Sequence, residues 1–448
     1  MPLADEQGDA APPVPSPDLR VLARELFLDT LTECSVSAAL QRNVEYDHGV
    51  LRIGEDLYNL DAYSRVFTIA IGKAAHTMAQ ALEAQLGGRA EGVVVAPTDT
   101  EHYLHGFRYF KGGHPLPTQE SVAAARYILR ELGHLNEFSL VIFLISGGGS
   151  ALVESPLYDS ISLEDLIQTY QVLVHSGAPI AEINTIRKHL SAVKGGRLAA
   201  AAMPAHQVSI MISDVPENAL DSLASGPTMP DSSTTSDCYR IAARYGMSQR
   251  LPTSVRELFQ RDALEETPKS DDPAFVRARW WPILSSATSA KAAAAKAAAL
   301  GFAVEIDNSC DDWEYDQAAD HLLGRLKELR RGASRVCLIS AGEVVVRVTG
   351  QPGVGGRNQQ FALYCAEKIA GTNVAILSAG TDGIDGNSQA AGAVADGSTI
   401  ERAKEQQLNP ADALARFDAY SIFETLGDAV ITGPTGNNLR DLRILLAD

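Results

Sequence analysis

Apolar residues in this chain fall into two rhythms, and the order in which those rhythms alternate carries most of the fold. After Ser16-Pro17-Asp18, a helix-start signature, Leu19, Leu22, Leu26 and Phe27 follow at helical spacing. "RVFTIAIGKAAHTMAQALEAQLGG", from Arg65, reads as a short apolar strand, a Gly-Lys turn, an alanine-rich helix and a glycine stop. "EGVVVAPTDT" supplies the next strand, so the unit is strand, helix, strand, as in a parallel sheet. The alternation goes on. "SVAAARYILREL" is helical, and "SLVIFLISGGGSA" is a buried strand that runs into a glycine turn. "SLEDLIQTYQVLV" is a helix with Ser162 as cap and Asp165 three residues later. "AEINTIRKHLSAVKGGRLAAAAM" is a helical stretch interrupted by Gly195-Gly196, and "QVSIMISDVP" is a strand that ends in an aspartate.

From about Met229 to Pro282 strand-like runs vanish and Pro, Ser, Asp and Arg accumulate. That shift predicts a helical excursion and hinge over 241–280, between a first domain at 16–240 and a second at 281–448. In the second, "WPILSSATSAKAAAAKAAALGFAVEID" restarts the alternation, and "SRVCLISAGEVVVRVTG" alternates like an antiparallel or mixed strand pair. "NVAILSAGTDGIDGNSQAAGAVAD" is a strand with a glycine-aspartate turn, and "DAVITGPTGNNLRDLRILL" closes on an amphipathic piece. No fixed-period repeat is present.

Composition narrows the functional classes. The 448 residues carry a net charge of −18, which argues against a nucleic-acid groove or an anionic membrane as partner. An acidic protein that handles an anion must do so with local cations or backbone amides. Five scattered cysteines without CxxC spacing read as reduced thiols. No apolar run reaches the roughly 18 residues that span a bilayer. Residues 1–15 lack the features of a signal peptide and are expected to be a disordered leader in a cytoplasmic protein, monomeric or homodimeric.

Chemistry is expected beyond the carboxyl ends of the strands, where doubly wound sheets bind ligands. Several unusual turns fall there. Lys73 would open a helix, where the dipole disfavours a cation by ~0.3–1 kcal/mol unless an anion shares the site. Ser146, Gly147, Gly148, Gly149 and Ser150 could present successive amides to a polyphosphate, though their spacing is neither a Walker loop nor G-x-G-x-x-G. "IRKHLSAVKGGRL" concentrates cations in an acidic chain, with Arg187 and Lys194 seven apart and so on one helix face. Arg357 and Asn358 follow two glycines before a helix, and an arginine there offers a planar fork to phosphate or carboxylate. Asp214, Glu343, Asp382 and Asp385 lie in or beside these turns and are the acids that Mg²⁺ would need, although Asp and Gly are also ordinary turn formers. His114 in "GGHPLP" is read as a loop histidine. Together these cues describe a phosphate-handling cleft between two α/β domains, with the substrate unnamed.

In order along the chain, "IGKAA", "GGHPLP", "ISGGGSA", "IRKHLSAVKGGRLA", "ISDVP", "LASGPT", "AGEVVV", "GGRNQ", "GTDGIDG" and "TGPTGNN" resemble the glycerate 2-kinase family of the MOFRL type. The resemblance runs from about residue 20 to the C-terminus. It implies ATP-dependent phosphorylation of D-glycerate at its 2-hydroxyl with Mg²⁺ or another divalent metal. It further implies a Rossmann-like N-terminal domain, a MOFRL C-terminal domain with a mixed sheet, and an active site in the cleft between them. Lys73 and Arg357 match the family's catalytic cations. On that basis Ser146–Ser150 and Lys194 are expected at the nucleotide phosphates, Arg187 and Asn358 at the substrate, and Asp214, Asp382 and Asp385 at the metal. Asn437 departs from the pattern, standing where threonine is expected in TGPTGTN. Two other classes remain open: an NAD(P)H-dependent hydroxypyruvate reductase, against which the missing dinucleotide fingerprint counts, and a non-catalytic sensor of a phosphorylated sugar acid.

Overall fold

The computed structural model describes residues 18–448, so the expected leader at 1–15 lies outside the described residues. Six strands form the first large sheet: β4 (Arg65–Ile71), β5 (Glu91–Ala96), β6 (Phe107–Lys111), β7 (Ser139–Ile145), β8 (His206–Ile212) and β9 (Ala278–Leu284). They follow β1 (Val44–Asp47), β2 (Val50–Ile53) and β3 (Asp56–Asn59), a small antiparallel sheet that the hydrophobic pattern does not announce. All neighbours in the large sheet are parallel, in the order β6-β5-β4-β7-β8-β9. This is the doubly wound Rossmann order, and the strand sequence reverses direction between β4 and β7. A strand covered on both faces must be apolar on both, and every residue of β7 is buried. The helix Ala75–Leu86 turns Met78, Ala79, Leu82 and Leu86 onto the sheet and ends at Gly87 in the left-handed region (φ 61°).

The second sheet is mixed. It comprises β10 (Ala303–Ile306), β11 (Val336–Ala341), β12 (Val374–Gly380), β13 (Gly392–Asp396), β14 (Ala429–Val430) and β15 (Asp441–Ala447), in the order β10-β11-β15-β12-β13-β14. Only β10 and β11 pair in parallel; β15 runs antiparallel to both its neighbours. The terminal piece read as amphipathic is thus a central strand, and all seven of its residues are buried. "GEVVVRV" does not form the second half of a strand pair; beyond β11 it is irregular chain, joined by an isolated bridge between Glu314 and Val345.

Two domain boundaries need correction. The helix Leu19–Glu33 packs against the second sheet, with Leu22, Ala23, Leu26 and Phe27 in one cluster with Leu377, Val394 and Ile444. The alanine face of the helix Ser286–Ala299 shares that cluster, because methyl-sized side chains let two helices approach closely. At the other end, residue 281 falls inside β9, which pairs with β8 as the sixth strand of the first sheet. From its first helix on the second unit, the described chain therefore crosses at Cys34-Ser35 and returns at Leu284-Ser285. Residues 241–280 are no hinge. The helices Thr235–Arg244 and Thr253–Gln260 pack with Leu163–Val174 and Ile180–Leu190 around Leu166, Tyr170, Ile241, Met247 and Val255, a helical lobe with its own core. Among the described residues no helix is long and apolar enough to cross a membrane.

Candidate active site

The switch point of the first sheet brings two turns together. After β4, Gly72 (φ 129°) lies so close to Ser146 that an added Cβ would collide with its Oγ. The Lys73 amide donates to the Gly147 carbonyl at 2.9 Å, and the Ala74 amide to Ser146 Oγ at 3.1 Å. Lys73 is exposed at the head of the helix that begins at Ala75.

Three consecutive glycines serve three purposes. A Cβ on Gly147 would strike Asp214 Oδ2. Gly148 (φ 84°) passes under His114 and Lys73, whose atoms would stand 3.2 Å from its Cβ, and Gly149 would meet Ala224 at 2.7 Å. The amides of Gly147, Gly148, Gly149 and Ser150 donate to no backbone acceptor among the described residues. Four neighbouring free amides are the arrangement that binds an anion. Ser150 Oγ lies 2.8 Å from Ser225 Oγ. His114 thus belongs beside Lys73; the glycine pair at the end of β6 was the signal, and lone histidines in loops are too common for it to stand out. Burial lowers its pKa, and the Lys73 charge lowers it further.

Asp214, just beyond β8, connects the two units. Burial raises its pKa, while Lys73 from the first unit and Arg440 from the second both oppose that rise. Arg440 is buried in the left-handed region (φ 69°) and makes a two-pronged pair with Asp311 at 2.6 and 2.7 Å. Its Nε stands 3.9 Å from Glu343 Oε1, which in turn is 2.9 Å from Arg357 Nη2. Arg357 also grips Asp441, Nε to Oδ2 at 2.6 Å and Nη2 to Oδ1 at 3.0 Å. Burial works against its charge, but the Asp441 and Glu343 carboxylates more than compensate and its pKa is raised. Burial lifts Glu343 as well. Alternating charge therefore runs from Lys73 through Asp214, Arg440 and Glu343 to Arg357.

Beside Arg357 opens a cavity of about 730 Å³. Val344, Val345, Val346, Val348, Pro352 and Phe417 form its apolar wall, and Arg357, Gln360 and Asp382 its polar one. The sequence reading missed this valine wall because it took the run for a strand.

Several expected site residues are engaged by other side chains or by backbone. Lys194 is 1% exposed and its ammonium pairs with Glu154, which also accepts from Tyr170 Oη and from Ser191 Oγ at 2.5 Å. It is an internal ion pair and not a free phosphate ligand. The helix carrying Arg187 ends at Leu190, so the two cations do not share a helix face; Arg187 stacks on the Tyr170 ring at 4.7 Å, away from the cavity wall. Asn358 is 1% exposed, with Nδ2 on Asp385 and Oδ1 accepting from Ser378, which makes it a brace and not a substrate contact. Asp385 accepts from the amides of Asn358 at 3.1 Å and Gln359 at 2.9 Å and so caps the helix Arg357–Ile369. Its oxygens serve a helix end, where free amides attract negative charge. Among the described residues no three His, Cys, Asp or Glu side chains are grouped to hold a metal; Asp382 and Asp385 both line the cavity, whereas Asp214 stands at the glycine turn.

Residues 22–260 match a domain of unknown function, DUF4147, and residues 336–441 match the MOFRL family. A D-glycerate 2-kinase of Thermotoga maritima is 40% identical, covering 86% of this chain and 91% of its own. The crystal structure of a glycerate kinase from the same organism superposes with a TM-score of 0.84 at 36% identity, covering 96% of this chain and 99% of that one. The chain belongs to the glycerate 2-kinase family. An Agrobacterium vitis relative provisionally named hydroxypyruvate reductase is 37% identical, covering 85% of this chain and 87% of its own. Family membership accounts for the pairing of a parallel, phosphate-compatible unit with a mixed-sheet unit that carries an arginine.

Proposed function

We propose that this chain transfers the γ-phosphoryl group of ATP to the 2-hydroxyl of D-glycerate, giving 2-phospho-D-glycerate and ADP. The observation that carries this reading is the place of Asp214, whose carboxylate stands against Gly147 of the glycine turn and lies in the field of Lys73 from one unit and Arg440 from the other. Phosphoryl transfer asks little covalent work of a protein, so the rate must come from positioning and from charge held ready. Lys73 and the amides of Gly147–Ser150 are the groups suited to the transferring phosphates. The cavity beside Arg357 has the volume of a nucleotide site, far more than a three-carbon acid fills, and its valine wall suits an adenine ring.

In the transfer, the glycerate 2-oxygen forms the new bond to the γ-phosphorus as the bond to the ADP oxygen breaks. The hydroxyl proton goes to Asp214, whose raised pKa moves it toward the range in which a carboxylate works as a base. A divalent cation would neutralise phosphate charge. With no cluster of three candidate ligands among the described residues, most of its ligands would be phosphates and water; Asp382, half-buried on the cavity wall and not engaged in capping a helix, is the acid of the expected three suited to add to them. Closure of the two units over the reactants would exclude water and limit wasteful hydrolysis.

Lys73→Ala is expected to lower kcat by roughly 10²–10³-fold, the scale on which one positioned charge acts in such sites, with an unchanged circular dichroism spectrum. Near-normal turnover would remove Lys73 from the chemistry. The assay uses D-glycerate and Mg-ATP, with NADH and hydroxypyruvate in a parallel cuvette. ADP release that depends on glycerate supports the kinase; NADH oxidation supports the reductase; binding without turnover supports a sensor.

A further inference from the structure

A second cavity lies at the opposite end of the first sheet. It measures about 240 Å³ and is lined by Tyr58, Tyr63, His206, Arg277 and Arg279, with Asp56 also on its wall. His206 opens β8 and Arg279 is the second residue of β9, so the cavity sits at the amino ends of these strands. β8 is seven residues long, so its other end, which leads to Asp214, is roughly 20 Å away at the rise of an extended strand. This is a place apart from Lys73.

Its chemistry is cationic in a chain of net charge −18. Arg277 donates to the Pro204 carbonyl at 3.4 Å and Arg279 to the Ala278 carbonyl at 2.8 Å; neither forms an ion pair among the described residues. The Asp56 carboxylate is engaged by Trp281 Nε1 at 2.9 Å. Tyr63 Oη and His206 Nδ1 are 2.5 Å apart. Burial, and after it Arg277 and Arg279, hold the imidazole below its ordinary pKa, so it is neutral near pH 7. The contact with the tyrosine hydroxyl occupies Nδ1, so Nε2 is the ring nitrogen without a partner among the described residues. Two guanidinium forks, an imidazole and aromatic edges thus line a space larger than a bare oxyanion.

We propose that this cavity binds a phosphate group, carried by a small phosphomonoester or as the free ion. Guanidinium forks match phosphate oxygens two at a time, and Leu57 and Val276 on the cavity wall offer apolar cover for a short carbon chain. The site is independent of the transfer reaction and stands or falls without it.

Isothermal titration of the full chain with inorganic phosphate, and separately with glycerol 3-phosphate, reads the site. Saturable binding in the millimolar range or tighter is expected, weakened at least tenfold by the Arg277→Ala/Arg279→Ala pair and unchanged by Lys73→Ala. Both arginines are exposed, so the variant is expected to fold and to keep its basal turnover. Tyr63→Phe, which removes the hydroxyl that orients His206, is expected to weaken binding several-fold. Tighter binding of the ester assigns the site to an organic phosphate, and tighter binding of the free ion assigns it to phosphate itself. Absence of saturable binding overturns the proposal. So does binding that survives the arginine pair but is lost in Lys73→Ala, because that signal belongs to the active site.

Discussion

A residue's type says which charge it can carry; its surroundings decide what the charge is for. Lys73 and Lys194 both follow or precede glycine in the sequence, yet one ends exposed at a helix start and the other is enclosed with Glu154. Nothing local distinguishes them, because the difference lies in Glu154 and Tyr170, 40 and 24 positions away. Asp385 shows the same with an acid. Burial pushes its carboxyl up from 3.8 to about 6, against the Gln359 and Asn358 amides that favour the charged form. The folded chain then binds this proton more tightly than the unfolded chain. Its contribution is therefore absent above about pH 6 and grows as pH falls toward 4, making the fold more stable in that window. Asp385→Asn keeps a cap oxygen but has no proton to gain. The difference in thermal midpoint, wild type minus variant, is expected to shift in wild type's favour as pH falls from 7 to 4.5; a difference that does not change with pH would contradict the assignment.

Elements were legible where one force dominates. Parallel strands buried on both faces read as unbroken apolar runs, which is why β4, β7 and β8 stood out. The four-residue strands β1 to β3 mix buried and exposed positions too briefly to establish a period, and the edge strand β9 carries half-buried tryptophans and an exposed Pro282. The glycine turn after β7 was recognised as special, but its use was only half visible. The free amides follow from the turn itself, whereas the tight approach of Asp214 to Gly147 depends on where β8 ends. Gly147→Ala separates these uses. Its φ lies outside the left-handed region, so the backbone tolerates alanine, but the new methyl would displace the Asp214 carboxylate. Displacing the proposed proton acceptor is expected to lower kcat by about 10²-fold or more, with a smaller change in the KM for ATP. A variant with normal kcat would mean that Asp214 does not work from its present position.

At the scale of the molecule, the question is how two units meet around one pool of charge. The chain crosses between them at Cys34-Ser35 and at Leu284-Ser285, and the "TGPTGNN" turn touches the first of these. Asn437 Nδ2 donates to the Cys34 carbonyl at 2.7 Å, and Leu439 inserts into the apolar cluster of the first unit. Within the same turn, the Thr435 amide holds the Asp382 carbonyl at 3.0 Å and its hydroxyl holds the Thr381 carbonyl at 2.6 Å. The residue that departs from the family pattern thus ties a crossover to the wall of the nucleotide-sized cavity. No sequence period encodes such a link, since it spans 403 positions. A single hydrogen bond of this kind contributes ~0.5–1.5 kcal/mol, and if closure draws on it, losing it slows turnover by about 2- to 12-fold. Asn437→Ala is therefore expected to reduce kcat within that range and to speed amide hydrogen exchange around residues 34–36, with the folded content intact. Faster exchange with unaltered kcat would show that the clasp steadies the crossover but takes no part in closure.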